Sequence, residues 1–270
     1  MLRATLLALA LVLTVLIAIP ALSNSAVGWA AYQRGDYKTA HREFLKAAKQ
    51  GDTAVQYNLG WMYYRGRGVP KDNAEAARWY RKAAEHGDAR AQLMLGAMYQ
   101  AGEGVSEDDA EAVRWYREAA GQGLAVAQHN LGWMYYNGEG IQKSSAEAAR
   151  WFRKAAQKGF ARAQINLGAM YESGKGVQKD YAEAARWYRK PAEQGYAEAQ
   201  YNLGMLYHKG EGISRDYIEA YKWLNLAATQ GIKPAAKALG RLQQIMTRSQ
   251  IAQAQARAQQ WRPNSEAYGN

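Results

Sequence analysis

Cysteine is absent from this chain of 270 residues, so disulfides, thiolate catalysis and cysteine-held zinc or iron–sulfur sites are excluded. Stability therefore has to come from packing, without covalent cross-links. Phenylalanine occurs three times, and the apolar content of 48% is carried largely by Ala, Leu and Tyr. Such a composition suits helices whose backbones approach closely. Histidine occurs four times, at His41, His86, His129 and His208. These fall at four different places in the internal repeat described below, so the period brings no pair together. Neither His-Glu-x-x-His nor Gly-x-Ser-x-Gly occurs. No convergent set of nucleophile, base or metal ligand emerges, and neither a catalytic residue nor a cofactor is expected. Negative charge is also scarce: 24 acidic residues face 35 Lys and Arg, for a net charge of +11. This excess favours acidic partners.

The abundant feature is a period. Leu-Gly recurs at Leu59, Leu95, Leu131, Leu167, Leu203 and Leu239, always 36 residues on. Five full units follow one another over 52–87, 88–123, 124–159, 160–195 and 196–231. Each reads as a helix A, a glycine loop and a helix B. In the first unit Val55, Leu59, Met62 and Tyr63 share one face of helix A. Gly60 stands mid-helix at a cost of about 1 kcal/mol relative to Ala. Its recurrence through Gly240 implies close approach of a neighbouring helix. The loop is Gly-x-Gly-Val/Ile, from Gly66 and Gly68 to Gly210 and Gly212. It lacks the third glycine of a dinucleotide fingerprint and follows no predicted strand, and Lys175 between Gly174 and Gly176 makes no Walker motif.

Helix B opens on a predicted capping box, as in Asp72/Glu75, Asp108/Glu111 and Ser144/Glu147. A Trp recurs at Trp79, Trp115, Trp151, Trp187 and Trp223 on the apolar stripe and is expected to join one repeat to the next. Arg78, Arg114, Arg150 and Arg186 each follow a Glu by three residues, which predicts local pairing within a basic outer stripe. Pro191 replaces the Ala of the sister units and predicts a kink.

The ends differ. Met1-Leu2-Arg3, an apolar run and Ala21-Leu22-Ser23 predict a secretory signal at 1–23, cut before Asn24. The alternative is a membrane anchor over 4–22, just long enough to span a bilayer at roughly 20 residues. Residues 24–51 read as an atypical N-terminal half repeat, 232–260 as a capping helix with a polar outer face, and 261–270 as a flexible tail.

The unit Ala-x-x-x-Leu-Gly-x-Met-Tyr-x-x-Gly-x-Gly-Val, then Asp-x-x-Glu-Ala-x-x-Trp-Tyr-x-x-Ala-Ala-x-x-Gly, resembles the Sel1-like repeat. Residues Ala91 to Gly123 show it well, with Val113 and Glu118 at its loose positions, and the resemblance runs from about Asn24 to Met246. It implies an all-α, right-handed αα-superhelical solenoid related to tetratricopeptide repeats, with helices A on the concave side. It also implies a scaffold or adaptor role, often in exported bacterial proteins. One branch of the family is cysteine-rich and linked to penicillin binding; this chain has none of its cysteines.

Four places on helix A vary between units while the core stays fixed. Their spacing of three or four puts them on one face, and they match the concave positions of the tetratricopeptide pattern. The candidate partner-binding residues there are Tyr57, Trp61, Tyr64, Arg90, His129, Trp133, Tyr136, Arg162, Tyr201, Met205 and His208. Trp and Tyr are favoured interface anchors. The expected function is an exported, non-enzymatic, periplasmic or secreted scaffold that holds a protein or peptide segment in its groove. The alternative is a basic protein on an anionic envelope surface, binding peptidoglycan, polysaccharide or lipid head groups. A cell-wall-active enzyme ranks third. Nucleic acid is not an expected partner, and the sequence carries no signal for an oligomeric state.

Overall fold

A computed structural model describes residues 24–263. The expected signal and anchor at 1–23 and 4–22, and most of the expected tail at 261–270, lie outside them. The described residues form fourteen α-helices and no strand. The first pair is α1 (Asn24–Gln33) and α2 (Tyr37–Lys49). Five pairs follow: α3 (Thr53–Arg65) with α4 (Asn73–Glu85), α5 (Ala89–Ala101) with α6 (Asp109–Gly121), and α7 (Ala125–Asn137) with α8 (Ser145–Gln157). The last two are α9 (Ala161–Ser173) with α10 (Tyr181–Glu193), and α11 (Ala197–Lys209) with α12 (Tyr217–Thr229). Then come α13 (Lys233–Ile245) and α14 (Arg248–Gln260). From α1 to α13 each helix packs on the next, giving an αα-solenoid.

The mid-helix glycine makes each pair possible. A Cβ on Gly60 would sit 2.8 Å from the Tyr80 ring, and one on Gly132 would sit 2.8 Å from Phe152. At Gly204 the neighbours are the Leu224 side chain at 2.9 Å and its backbone N at 3.2 Å. Gly28 meets Phe44 in the same way within the first pair, α1 and α2. Gly240 on α13 has no atom within 4 Å of that point. Two substitutions at one repeat position should therefore have opposite signs. Gly240→Ala should stabilise by about 1 kcal/mol through helix propensity. Gly204→Ala gains the same term but meets backbone, and overpacking of about 1–3 kcal/mol should leave a net loss. Urea titrations of the two variants check this.

Neighbouring repeats join through three further devices. Trp79 is buried in the core that α2 and α3 build across the junction, with Phe44, Leu59 and Met62, and Trp115 is buried in the core built by α4 and α5. Second, the later loop glycine presses on the preceding helix B: a Cβ on Gly104 would lie 2.2 Å from the Asn73 carbonyl oxygen. Third, a buried Gln donates across each junction. Gln56 Nε2 reaches the Ala48 carbonyl at 3.1 Å, and Gln92, Gln128, Gln164 and Gln200 repeat the bond to Ala84, Ala120, Ala156 and Ala192. Each such bond contributes about 1 kcal/mol net.

Helix B departs from the capping box in one respect. Asp72 accepts from the Glu75 N–H at 3.0 Å, as expected. The reciprocal bond is pre-empted, because the Asp72 N–H already donates to the Tyr63 carbonyl at 3.0 Å. Glu75 turns instead to Arg78, Glu111 to Arg114, Glu147 to Arg150 and Glu183 to Arg186.

Two expectations at the C-terminal end are corrected. The segment 232–260 is two helices, not one. Met246 is extended, and Thr247 and Gln250 form a complete capping box that starts α14. This helix folds back on α12: Arg257 pairs with Glu219 at 2.7 Å, and Gln255 reaches the Tyr221 hydroxyl at 3.3 Å. Trp261, expected to fray, packs edge-on against Trp223 with ring centroids 6.4 Å apart. The kink expected at Pro191 is not expressed as a break. Helix α10 runs uninterrupted at the thirteen-residue length of its sisters, and Tyr196 N–H bonds the Pro191 carbonyl as Asp88 N–H bonds Ala83. Pro191 stands in the last turn, where little helix remains to be displaced.

Candidate interaction groove

Helices of the A set line one side of the stack. A pocket of about 460 Å³ is bounded by Gln100 of α5, by His129, Asn130 and Trp133 of α7, by Arg162, Ile165 and Asn166 of α9, and by Glu198 of α11. A second, of about 330 Å³, is bounded by Trp133, Tyr136, Phe152, Asn166, Ala169, Met170, Ser173 and Lys175. Trp133 and Asn166 belong to both.

Trp133 is the wall between them. It is 42% exposed, although it is among the largest apolar side chains in the protein. Its ring stacks on Tyr136, one turn along α7, with centroids 6.0 Å apart and planes 25° from parallel. Ala169 stands at the equivalent place on α9, so the indole has no counterpart opposite it and the space stays open.

His129 forms part of the floor. Its ring lies between Phe152 and Phe160, at 5.4 and 5.2 Å. Nδ1 is 3.3 Å from Asn130 Oδ1, and Nε2 is 3.1 Å from Asn166 Nδ2. A carbonyl on one side and an amide N–H on the other place the proton on Nδ1 and leave Nε2 as acceptor. Burial pushes its pKa below the ordinary 6.5, with Arg162 adding to the shift and Asn130 opposing it. The ring is therefore neutral at neutral pH. The unfolded chain takes the proton near 6.5 and the folded chain only at lower pH, so stability falls as pH drops through that window. His129→Gln should remove part of the loss between pH 7.5 and 5, leaving the share carried by His41 and His208, which burial also lowers. Urea midpoints at the two pH values measure it; an equal loss in both proteins would contradict it.

The other candidates are placed differently. Arg162 is on the rim of the larger pocket, exposed and without an ion pair among the described residues. Trp61 does not repeat the role of Trp133. It is half-buried, packs against Tyr32 of α1 at 6.2 Å and joins the cores of the first two pairs. The helix before Trp61 supplies an aromatic ring, whereas the helix before Trp133 supplies Ala97 and Gln100. Tyr57 lies against Tyr80 and under Arg90, whose guanidinium is 4.3 Å from the ring and paired with Asp88 at 2.7 Å. Tyr64 is flanked by Arg65 and Lys71. Tyr201 and Met205 pack on the last core, and His208 leans on Tyr217. The structure thus gathers His129, Trp133, Tyr136 and Arg162 and disperses the rest.

Asn130, Asn166 and Lys175 were missed by sequence reasoning. A signal existed for the two amides, since Asn recurs at Asn58, Asn130, Asn166 and Asn202, immediately before Leu-Gly. Lys175 had none beyond a loop position.

A stack of helix pairs, each packed on the next and repeating every 36 residues, is the architecture of a helical repeat protein. A scan against protein families matches Sel1 repeats at residues 53–88, 89–124, 125–160, 161–196 and 197–232, and the chain belongs to the Sel1 repeat family. Among solved structures, it is similar to a Sel1 repeat protein from Oxalobacter formigenes at 35% identity and TM-score 0.76, covering 87% of this chain and 99% of that one. It is also similar to c5321, a protective antigen present in uropathogenic Escherichia coli strains and displaying the same repeat fold. That match has 29% identity and TM-score 0.50, and covers 91% of this chain and 69% of that one. No curated protein sequence matches the chain. Sel1 repeat proteins typically mediate protein–protein interaction, and the family is generally non-catalytic.

Proposed function

We propose that this protein is an exported, non-enzymatic scaffold whose concave groove, centred on Trp133, holds a protein or peptide segment. Residues 1–23 act as the export signal in this reading, and the mature chain works in the periplasm or outside the cell. The observation that carries the groove is the exposed Trp133, stacked on Tyr136 and open to a pocket on each side. Interface anchors are typically aromatic residues of this kind.

The alternative, a basic outer stripe that docks on an anionic envelope surface, has less support. Arg78, Arg114, Arg150 and Arg186 each face a Glu one turn away on their own helix, so that row is locally neutralised. The test is capture from an envelope extract with wild type beside Trp133→Ala. A partner held by wild type and lost from a variant of equal helicity supports the groove. A partner retained by the variant rules it out.

A further inference from the structure

The two pockets differ in chemistry, and the difference bears on what the groove selects. The smaller one has an apolar lining, with buried Phe152 and Met170 and exposed Ala169 beside the Trp133–Tyr136 stack. Its polar members are Asn166, Ser173 and Lys175. The Lys175 ammonium is 6.0 Å from the Tyr136 ring and forms no ion pair among the described residues. The larger pocket is lined by amides and by two charges, Arg162 and Glu198, that form no ion pair among the described residues. Asn166 donates an amide N–H to His129 and lines both pockets.

Resting on the groove reading above, we propose that this site reads an extended acidic peptide: a bulky apolar side chain enters the smaller pocket at Trp133, and an Asp or Glu beside it meets Lys175. Extended backbone offers one N–H and one C=O per residue, which the side-chain amides of Asn130 and Asn166 match in type. Two cations without an ion pair among the described residues, Lys175 and Arg162, stand against Glu198, the one carboxylate that lines either pocket, and the chain carries +11 overall. Acidic segments are therefore drawn in and basic ones repelled. A sugar ring would also stack on Trp133, but its hydroxyls would meet Phe152, Met170 and Ala169 in that pocket.

Repetition supplies a clean variant. Trp occupies the Ala169 position in two sister helices, as Trp61 and Trp133, so Ala169→Trp fills the pocket with a side chain the repeat already tolerates. The purified protein is panned against a random dodecapeptide library on phage, with a glycan array in parallel. Wild type should enrich peptides with Leu, Ile, Met or Phe next to Asp or Glu. Ala169→Trp should weaken the selected peptide by about tenfold or more at unchanged Tm, a loss of about 1.4 kcal/mol or more, as expected when an interface anchor loses its pocket. Lys175→Glu should shift enrichment from acidic to basic residues. Enrichment of basic or proline-rich peptides by wild type, or binding of glycans in place of peptides, would overturn the proposal. So would a peptide that Trp133→Ala abolishes and Ala169→Trp leaves untouched; in that case the groove reading stands and only the pocket reading falls.

Discussion

Gly140→Ala is expected to lower stability by about 3 kcal/mol, from two additive causes. Gly140 has φ of +61°, where a side chain costs roughly 1–2 kcal/mol. A Cβ there would also lie 2.2 Å from the carbonyl carbon and oxygen of Asp109. Those are backbone atoms at the start of α6, so relief requires the loop and the helix to separate, and overpacking of this kind costs about 1–3 kcal/mol. The contact joins one repeat to the one before it, and a stack is held by such nearest-neighbour terms. The lost energy is therefore interface energy. The urea transition should move to a lower midpoint and broaden as the halves on either side of the 109–140 contact unfold separately. Circular dichroism in urea measures it, and a midpoint within experimental error of wild type would show that this contact does not hold the repeats together.

Trp133→Ala and Trp61→Ala are expected to separate binding from stability. The indole of Trp133 is 42% exposed, so its removal uncovers little core. Truncating an aromatic anchor at the centre of an interface typically costs about 2 kcal/mol or more, close to 30-fold in affinity. Trp61 is half-buried among Tyr32, Met62 and the first two cores. Its truncation should cost about 2–3 kcal/mol of folding free energy, toward the lower side of the range for buried aromatics. Affinity at the groove should hardly change. The sequence pairs these residues as equals, 72 positions apart; their neighbours divide them.

The period fixed most of what was legible. Leu-Gly at 36-residue spacing, the helix-B Trp and the loop glycines specify the helix pairs, because each repeats a contact that every unit needs. Features that depend on one neighbour were not legible. Whether Trp61 or Trp133 is free rests on Tyr32 lying before the first and Ala97 before the second. The break at Met246 rests on a Thr247–Gln250 box inside an Ala/Gln-rich run that reads equally well as one helix. Glu75 pairs with Arg78 and not with its cap because a carbonyl from the preceding helix reaches the cap first. The buried Gln series was visible as a period, but a polar residue in a core gives no hint of its partner without the preceding helix in place.

The most direct measurement of the groove is the affinity of the captured segment for wild type, Trp133→Ala and Trp61→Ala, each checked for helicity and Tm. The groove centred on Trp133 predicts a loss of about 30-fold for Trp133→Ala at near-wild-type Tm, and an affinity within about threefold of wild type for Trp61→Ala at lower Tm. Equal losses for the two, or none for Trp133→Ala, would contradict it.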